Sequence, residues 1–148
     1  MKQQQNLPPA DLAADGTKPH NLQNKPAEAE TLLSAISNNL ADGVIYQVDV
    51  GTDGSERTFT YISEKVETIF GFSAQSVLRD ASLIYNAIFD EDRKRLAEIE
   101  ADSIAKNEVL RIEFQIHTRD GKKRNLLAVS SPRKLANKHI VYDGFFFD

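Results

Sequence analysis

Cysteine is absent from this chain of 148 residues. Its absence excludes disulfide bonds, thiolate metal ligands, cysteine nucleophiles and the photochemistry in which a cysteine adds to a flavin. Long apolar runs are missing as well. None approaches the roughly 18–20 residues that cross a bilayer, and Met1–Gln5 leads into polar sequence rather than the apolar core of a signal peptide. We therefore expect a cytoplasmic segment that does not itself insert into a membrane; an anchor elsewhere in a longer parent chain stays open.

An excess of basic residues is also lacking. With 18 basic and 22 acidic side chains the net charge is −4. Such a surface repels phosphate backbones, so we expect no nucleic-acid partner. The basic cluster Lys122–Arg124 is interpreted as the solvated tip of a hairpin. An apolar fraction of 41% and a charged fraction of 27% are those of an ordinary globular protein, and the length suits one domain.

The composition changes near residue 26. Residues 1–25 are rich in polar side chains and carry few large apolar ones, so they are predicted to be a flexible linker or tail. Residues 26–148 have the pattern of a folded domain, which begins with a predicted helix over Pro26–Leu40. The apolar residues of that helix recur at steps of three and four and form one stripe. The stripe consists of Ala29, Leu33, Ile36 and Leu40.

Alternating and β-branched runs predict five strands, with short helices between the second strand and the third. Ser63 is predicted to cap the first of these helices, and the acidic run Asp90–Asp92 to begin the longest one. Strands on either side of a helical block indicate an α+β fold: a five-stranded antiparallel sheet with short helices on one face and an amphipathic helix at the N-terminus. The predicted strands cover residues 44–50, 57–62, 110–117, 126–131 and 139–147, with a basic loop over 132–138.

Three consecutive phenylalanines, Phe145–Phe147, lie in the last predicted strand. Successive strand residues point to opposite faces of a sheet, so large apolar groups are expected on both faces. One face can pack against the short helices. The other needs a cover, because each buried phenylalanine is worth about 1.5–3 kcal/mol. We expect the Pro26–Leu40 helix or a second subunit to provide that cover.

The order of these elements, together with four short motifs, resembles the PAS family of bacterial-type sensory domains. A strand with aromatic residues and a polar end, Phe59–Ser63, leads into a short helix closed by Ile69–Phe72. An acidic motif, Ile88–Arg93, begins the long helix. Thr118–Arg124 is similar to the basic Asp-Gly hairpin of the family, and Gly144–Asp148 to its ending of glycine, apolar residues and aspartate. The four motifs occur in the family's order and spacing.

Two positions depart from the family pattern. Asp90 stands where a proline is usual. Asn125 stands where an aromatic residue, commonly tryptophan, follows the hairpin, which changes the pocket or interface that the ring would have lined. The cofactor signatures are missing too: covalent flavin chemistry lacks its cysteine, and the helix over residues 92–107 has no histidine to bind haem. The resemblance then implies either a small metabolite between sheet and helices or no ligand at all.

The resemblance also implies partners. PAS domains usually dimerise through the N-terminal helix, so we expect a homodimer through Ala29, Leu33, Ile36 and Leu40 and the face of the sheet. Asp148 resembles the position from which the family continues into a helix that drives a histidine kinase or a diguanylate cyclase. We expect the signal to leave there through a rearrangement of the dimer, and the isolated domain to catalyse nothing.

Aromatic residues supply the candidate ligand pocket. The alternative is that they form an ordinary core and that the chain is a ligand-free dimerisation or protein-interaction module. The histidines lack metal-ligand spacing, so no metal site is predicted. The sequence contains no recognisable nucleophile–base pair and no phosphate-binding loop, so we do not predict an enzyme. The candidate pocket residues are Tyr46, Phe59, Tyr61, Phe70, Phe72, Tyr85, Phe114 and Asn125.

Overall fold

The structure is a computed structural model. It describes Glu28, Thr31, Leu32, Ala35, Ile36, Asn39 and residues 42–148. The described positions from Glu28 to Ala35 are helical and belong to a compact unit of their own, distinct from Ile36–Asp148. Ile36 is helical and 45% exposed. The other three members of the predicted stripe, Ala29, Leu33 and Leu40, lie outside the described residues, so the covering role of this helix stays a prediction.

Residues 42–148 contain five strands and four helices in the predicted order. The strands are β1 (Gly43–Asp49), β2 (Thr58–Ile62), β3 (Leu110–His117), β4 (Lys123–Lys134) and β5 (Ile140–Phe147). The helices are α1 (Lys65–Phe70), α2 (Ala74–Arg79), α3 (Ser82–Tyr85) and α4 (Asp90–Lys106), all between β2 and β3.

The strands form one antiparallel sheet in the order β2-β1-β5-β4-β3, so the predicted α+β fold is confirmed. The first and last strands lie next to each other at its centre. Alternate residues of each strand point to the helices, as β3 shows most clearly: Leu110, Ile112, Phe114 and Ile116 are buried and the residues between them exposed. This period of two follows from strand geometry, and it places the main core between the sheet and the helices.

Two predictions about local structure are wrong. Ser63 does not cap α1, because its hydroxyl accepts a hydrogen bond from the backbone N–H of Ile45 at 3.0 Å, and α1 begins without a side-chain cap. The predicted basic loop is shorter, because β4 continues through Pro132 to Lys134. β3 begins at Leu110, opposite Ser130, so β4 is an edge strand from Ser131 onward, and an edge tolerates a proline that lacks an N–H.

The free edge of β3 is covered by the start of α4 and the segment before it. The backbone N–H of Phe89 donates to the carbonyl of Gln115 at 3.0 Å, and the N–H of His117 donates to the carbonyl of Ala87 at 2.8 Å. The carboxylate of Asp92 accepts from the N–H of Gln115 at 2.7 Å. Unpaired edges are sites of unwanted strand addition, and these three hydrogen bonds block that end of the sheet.

Asp92→Ala is expected to lower the free energy of unfolding by about 1.5–3 kcal/mol, because the Gln115 N–H loses a charged acceptor. The Asp92 side chain is 17% exposed and also pairs with Arg95 at 2.8 Å. Asp102→Ala in the same helix is the matched control. Its carboxylate is 61% exposed and 3.3 Å from Lys106, so the loss should stay within about 0.5 kcal/mol. Urea denaturation measures both.

The difference in the free energy of unfolding between Asp92→Ala and Asp102→Ala should depend on pH, and this dependence identifies its source. Burial alone raises the pKa of Asp92, but the hydrogen bond from Gln115 and the pairing with Arg95 hold it below the usual range. A depressed folded-state pKa gives stabilisation that is complete above the unfolded pKa and is lost as the pH falls through the folded one. The gap between Asp92→Ala and Asp102→Ala should therefore narrow in acid. A gap that is constant with pH would speak against the carboxylate–amide hydrogen bond.

Candidate functional site

A small cavity lies between the inner face of the sheet and helices α3 and α4. Its volume is about 30 Å³, which is room for about one or two water molecules. Aliphatic and aromatic side chains supply most of the wall. Its polar lining consists of Tyr46, Tyr85, Glu100, Ser130 and Tyr142. A polar lining in the centre of an otherwise apolar core is the first sign of a binding site.

Aromatic contacts fix the positions of two of the three cavity tyrosines, Tyr46 on the sheet and Tyr85 on α3. Tyr46 stacks on Phe146, with 4.4 Å between ring centroids, and meets Phe59 edge-on at 5.8 Å. Phe59 in turn stacks on Tyr85 at 6.1 Å. Both offset stacks and edge-to-face pairs are geometries that aromatic rings prefer. The rings therefore form a continuous layer from β5 through β1 and β2 to α3.

An ion pair lies at the helix side of the cavity. The carboxylate of Glu100, in the middle of α4, pairs with the guanidinium of Arg57, which directly precedes β2. The Glu100 side chain is 7% exposed and that of Arg57 24%. Arg57 also lies over the ring of Tyr85, with 5.3 Å from its Cζ atom to the ring centroid. The pair joins the end of the β1–β2 hairpin to α3 and α4.

A second polar contact joins α4 to the central strand β5. The hydroxyl of Tyr142 lies 3.1 Å from Oγ of Ser103 and 3.2 Å from the carbonyl oxygen of Glu100. Ser103 donates in turn to the carbonyl of Glu108 at 2.6 Å. Buried hydroxyls are unfavourable without hydrogen-bond partners. These linked hydrogen bonds therefore explain how α4 accommodates Ser103, which is only 4% exposed.

Burial controls the ionisation of these groups. It raises the pKa of Glu100, against the opposing effect of Arg57. It also raises the pKa of Tyr46, Tyr85 and Tyr142, the value for Tyr46 being lowered in part by the Ser130 side chain. The tyrosines therefore keep their protons at neutral pH. The lining offers neutral hydroxyl groups together with one carboxylate.

The structure brings together some of the candidate pocket residues and separates others. Tyr46, Tyr85 and Phe114 line the cavity. Phe59 packs on two of these rings, and Phe70 is fully buried against Phe146 at 5.8 Å. The remaining three lie elsewhere: Tyr61 is partly exposed on β2, Phe72 packs under Arg119, and Asn125 is exposed on the face of β4 that points away from the helices.

Sequence reasoning missed the polar half of the cavity. Glu100 and Ser103 were open to detection, because they fall on the same helical stripe as the apolar residues Leu96, Ile99 and Ile104. A charged residue within such a stripe indicates a buried partner. Its identity as Arg57 carries no sequence signal, since 43 positions separate the two residues.

The opposite face of the sheet carries an apolar surface, and the prediction that the three phenylalanines serve both faces is confirmed. Phe146 is buried, whereas Phe145 and Phe147 are partly exposed on the outer face, with 4.7 Å between their ring centroids. In the register of the sheet, Phe145 lies between Ile45 and Val129. We name as the outer apolar patch the partly exposed residues Ile45, Leu127, Val129, Phe145 and Phe147.

A polar ladder crosses four strands next to this patch. Thr60 donates to the amide oxygen of Gln47 at 2.6 Å, and the Gln47 amide donates to Asp143 at 2.6 Å. Arg133 holds both oxygens of Asp143, at 2.9 and 3.2 Å. Burial alone raises the pKa of Asp143, but these donors hold it below the usual range. The outer face is thus divided into an apolar part and a polar part.

The first and last residues of the range 42–148 lie side by side. The N–H of Asp148 donates to the carbonyl of Asp42 at 3.1 Å. The carboxylate of Asp148 lies 3.2 Å from Nε of Arg124, which also donates to the carbonyls of Thr68 and Ile69 at the end of α1. A cation suits that position because the C-terminus of a helix carries partial negative charge. Arg124 therefore connects the predicted output residue to the helical layer.

The histidines of this part of the structure have ordinary partners. His117 is exposed and stacks on Phe89 at 4.2 Å, and Nδ1 of His139 lies 3.0 Å from both carboxylate oxygens of Asp49. Among the residues that the structure describes, no three or more metal-binding side chains are grouped to hold an ion. No helix in that portion of the chain combines the length and apolarity needed to span a membrane.

Comparison with solved structures finds the same fold in several sensor domains. A domain of a putative light and redox sensing histidine kinase from Haloarcula marismortui aligns with a TM-score of 0.60 at 17% identity, over 82% of this chain and 97% of the other. The N-terminal domain of a diguanylate cyclase with PAS/PAC sensor from Marinobacter aquaeolei gives 0.57 at 16% identity, over 72% and 94%. A PAS domain from Colwellia psychrerythraea gives 0.59 at 12%, over 86% and 95%.

Sequence comparison gives the family. No curated protein matches the chain. A family model described as PAS fold matches residues 59–145, which is more than half of the 148 residues. The matched range runs from β2 to β5 and includes most residues that line the cavity; Tyr46, Val48 and Phe146 lie outside it. The chain belongs to the PAS fold family, and it is similar to sensor domains of histidine kinases and diguanylate cyclases.

Proposed function

We propose that this chain is a sensory module in which the interior responds to a small molecule and the sheet transmits the response to the flanking segments. One observation carries the proposal: within the same strands, residues next to each other in sequence face the cavity on one side of the sheet and the outer apolar patch on the other. Tyr46 and Ser130 face the cavity, and their neighbours in sequence, Ile45 and Val129, belong to the outer apolar patch. A shift that repacks the interior moves the patch with it, since strands are rigid over two residues.

The response is passed on through a homodimer and an output domain. An apolar patch on a partly exposed sheet face favours association with a second copy. Asp148, beside Asp42, is the point from which a following segment would carry the change. Two of the similar structures belong to a histidine kinase and a diguanylate cyclase. We infer an output domain of one of these classes for this chain, and no catalysis by the domain itself.

Val129→Lys is expected to convert a dimer into a monomer, because it places a charge within the outer apolar patch, beside Phe145. Asn125→Lys is the matched control: it adds the same charge to the same face of β4 at an exposed position outside the patch. Sedimentation velocity over a range of protein concentrations measures the association. Thermal unfolding of both variants shows whether the fold is retained.

The wild-type chain should associate, Asn125→Lys should behave as wild type, and Val129→Lys should sediment as a folded monomer. A wild-type chain that is monomeric at every concentration would refute transmission through a homodimer. Equal weakening by both variants would place the interface away from the patch.

The ligand-free module remains the second candidate function, and the size of the cavity favours it. A volume of about 30 Å³ admits water but not a metabolite without rearrangement. A thermal-shift screen of small metabolites separates the two readings. A compound that raises the Tm of wild type but not of a variant with a filled cavity, Ser130→Leu, supports sensing. If nothing raises the Tm while the Val129 experiment still shows a dimer, the ligand-free function holds.

A further inference from the structure

The guanidinium of Arg57 occupies a site that other elements build. Its Nη2 atom pairs with the Glu100 carboxylate of α4, and its Cζ atom lies over the Tyr85 ring of α3. Its Nη1 atom donates to the carbonyls of Gly54 at 2.7 Å and Glu56 at 2.6 Å. A carboxylate next to an aromatic face is an arrangement that binds cations. In this structure the cation in that site is a side chain of the protein itself.

The two members of the ion pair differ in their freedom to move. Glu100 projects from the middle of the 17-residue helix α4, and its side chain is 7% exposed. Arg57 follows a turn, and its side chain is 24% exposed, so it can rotate outward and be hydrated. Glu100 cannot follow it. A buried carboxylate without a partner is strongly unfavourable, so the departure of Arg57 requires another cation or a proton at Glu100.

The space that Arg57 would leave lies beside the cavity. Tyr85 and Glu100 contact the guanidinium on one side and line the cavity of about 30 Å³ on the other. Rotation of Arg57 would free the volume of one guanidinium group next to that cavity. The combined space suits the head group of a small molecule, with the stacked rings of Tyr85 and Phe59 as one wall.

We propose that this site binds a small organic cation, a guanidinium or alkylammonium compound, in place of the Arg57 side chain. The proposal rests on the sensory function proposed above and names its ligand class. An anionic ligand would meet the fixed carboxylate of Glu100, and a neutral one would leave that carboxylate without a counter-charge. A cation satisfies Glu100 and the face of the Tyr85 ring together.

Replacement of Arg57 has a structural consequence that suits a sensor. The pair holds the β1–β2 turn against α4, where Gly54 lies so near Ile104 that an added Cβ would stand 3.0 Å from its Cδ1 atom. When a ligand takes the site, the turn loses its link to Glu100. β1 continues from that turn to Ile45 in the outer apolar patch. Binding at α4 is thereby connected to the surface on which a partner would sit.

Removal of the Arg57 side chain tests the site directly. The experiment uses the full chain with Arg57→Ala, and the probes are methylguanidinium chloride, its neutral isostere methylurea, and sodium acetate. Methylguanidinium is expected to raise the Tm of the variant by about 5 °C at about ten times its dissociation constant, which we expect to be millimolar. The double variant Arg57→Ala/Glu100→Gln keeps the space but removes the charge, and it should show no such rise.

Two results would overturn the proposal: an equal response of the single and double variants, or stabilisation by acetate or methylurea that matches that by methylguanidinium. Should Arg57→Ala fail to fold, Arg57→Gln takes its place. A measurement on the wild type is independent of both variants. Methylguanidinium should shift the side-chain Nε–H resonance of Arg57 in nitrogen-15 NMR spectra, and an unchanged resonance up to saturating probe counts against the site.

This experiment is separate from the test of the proposed function. If the chain dimerises through the patch around Val129 but shows no cation-specific stabilisation, the proposed transmission through the sheet is supported and only the proposed ligand class is refuted. If the chain binds methylguanidinium but never associates, the cation site is supported and the proposed homodimer is refuted.

Discussion

Replacing Gly144 by alanine is expected to lower the free energy of unfolding by about 3 kcal/mol, at the upper end of the cost of overpacking a core. Gly144 lies in the central strand β5, between Tyr46 of β1 and Ser130 of β4. A Cβ at this position would stand 2.3 Å from the Cβ of Ser130 and 2.4 Å from the carbonyl oxygen of Val129. Backbone on that side cannot yield without separating β4 from β5. Equilibrium unfolding in urea measures the loss.

A second glycine provides the control. Gly121, at the tip of the β3–β4 hairpin, has a φ of +86° and no atom within 4 Å of an added Cβ. Gly121→Asn should therefore cost less than about 1 kcal/mol, because asparagine tolerates the left-handed conformation. If Gly144→Ala is as mild as Gly121→Asn, the contact between β4 and β5 is looser than the structure shows. Ser130→Gly in the Gly144→Ala background should recover part of the loss.

Gly144 shows what kind of information the sequence holds. Its place before Phe145–Phe147 forms part of the motif by which the chain resembles the PAS family. The alternation of apolar and polar residues over 110–117 predicts a strand of a sheet. These are local patterns with a period of two, and the structure confirms them. The reason for a glycine is the Ser130 side chain on the neighbouring strand. Such a contact depends on register, which no local pattern reports.

Ser63 and Pro132 illustrate the same limit from the other side. A serine before a helix is a good cap by local chemistry, yet a longer-range hydrogen bond to Ile45 uses its hydroxyl instead. A proline predicts the end of a strand, yet β4 continues because β3 begins only opposite Ser130 and does not extend beside Pro132. Both errors arise where a neighbouring strand decides the outcome.

The candidate site divides in the same way. Large aromatic residues of the core are recognisable from composition and spacing, which is how Tyr46, Tyr85 and Phe114 enter the candidate list. Asn125 enters through the family motif, and its side chain points away from the helices because it alternates with the buried Leu126. The polar lining depends on pairs from distant segments, such as Arg57 with Glu100, and these become visible only in three dimensions.

Arg57→Met is expected to lower the free energy of unfolding by about 3 kcal/mol at neutral pH. Removal of one partner from a buried ion pair costs about 3–5 kcal/mol, and the partial exposure of Arg57 places it at the lower end. The penalty arises from the Glu100 carboxylate that is left behind. It should therefore vanish when that carboxylate is protonated, and equilibrium unfolding at a series of pH values measures it.

The sign of the pH dependence follows from the pKa of Glu100. Burial raises the pKa of this group in the folded state and Arg57 lowers it, so the Arg57→Met variant has a higher folded pKa than wild type. A raised folded pKa means that the folded state binds the proton more readily, so stability falls as the pH rises from the unfolded pKa through the folded one. The difference in the free energy of unfolding between Arg57→Met and wild type should thus be small in acid and grow toward neutral pH.

The control is Arg57→Met/Glu100→Gln, which has no carboxylate to bury. Its difference in stability from wild type should be smaller and should not change with pH. A penalty of the single variant that is constant across the range would mean that Arg57 stabilises the hairpin by packing on Tyr85 rather than by neutralising Glu100, and the charge-based account of the site would fall with it.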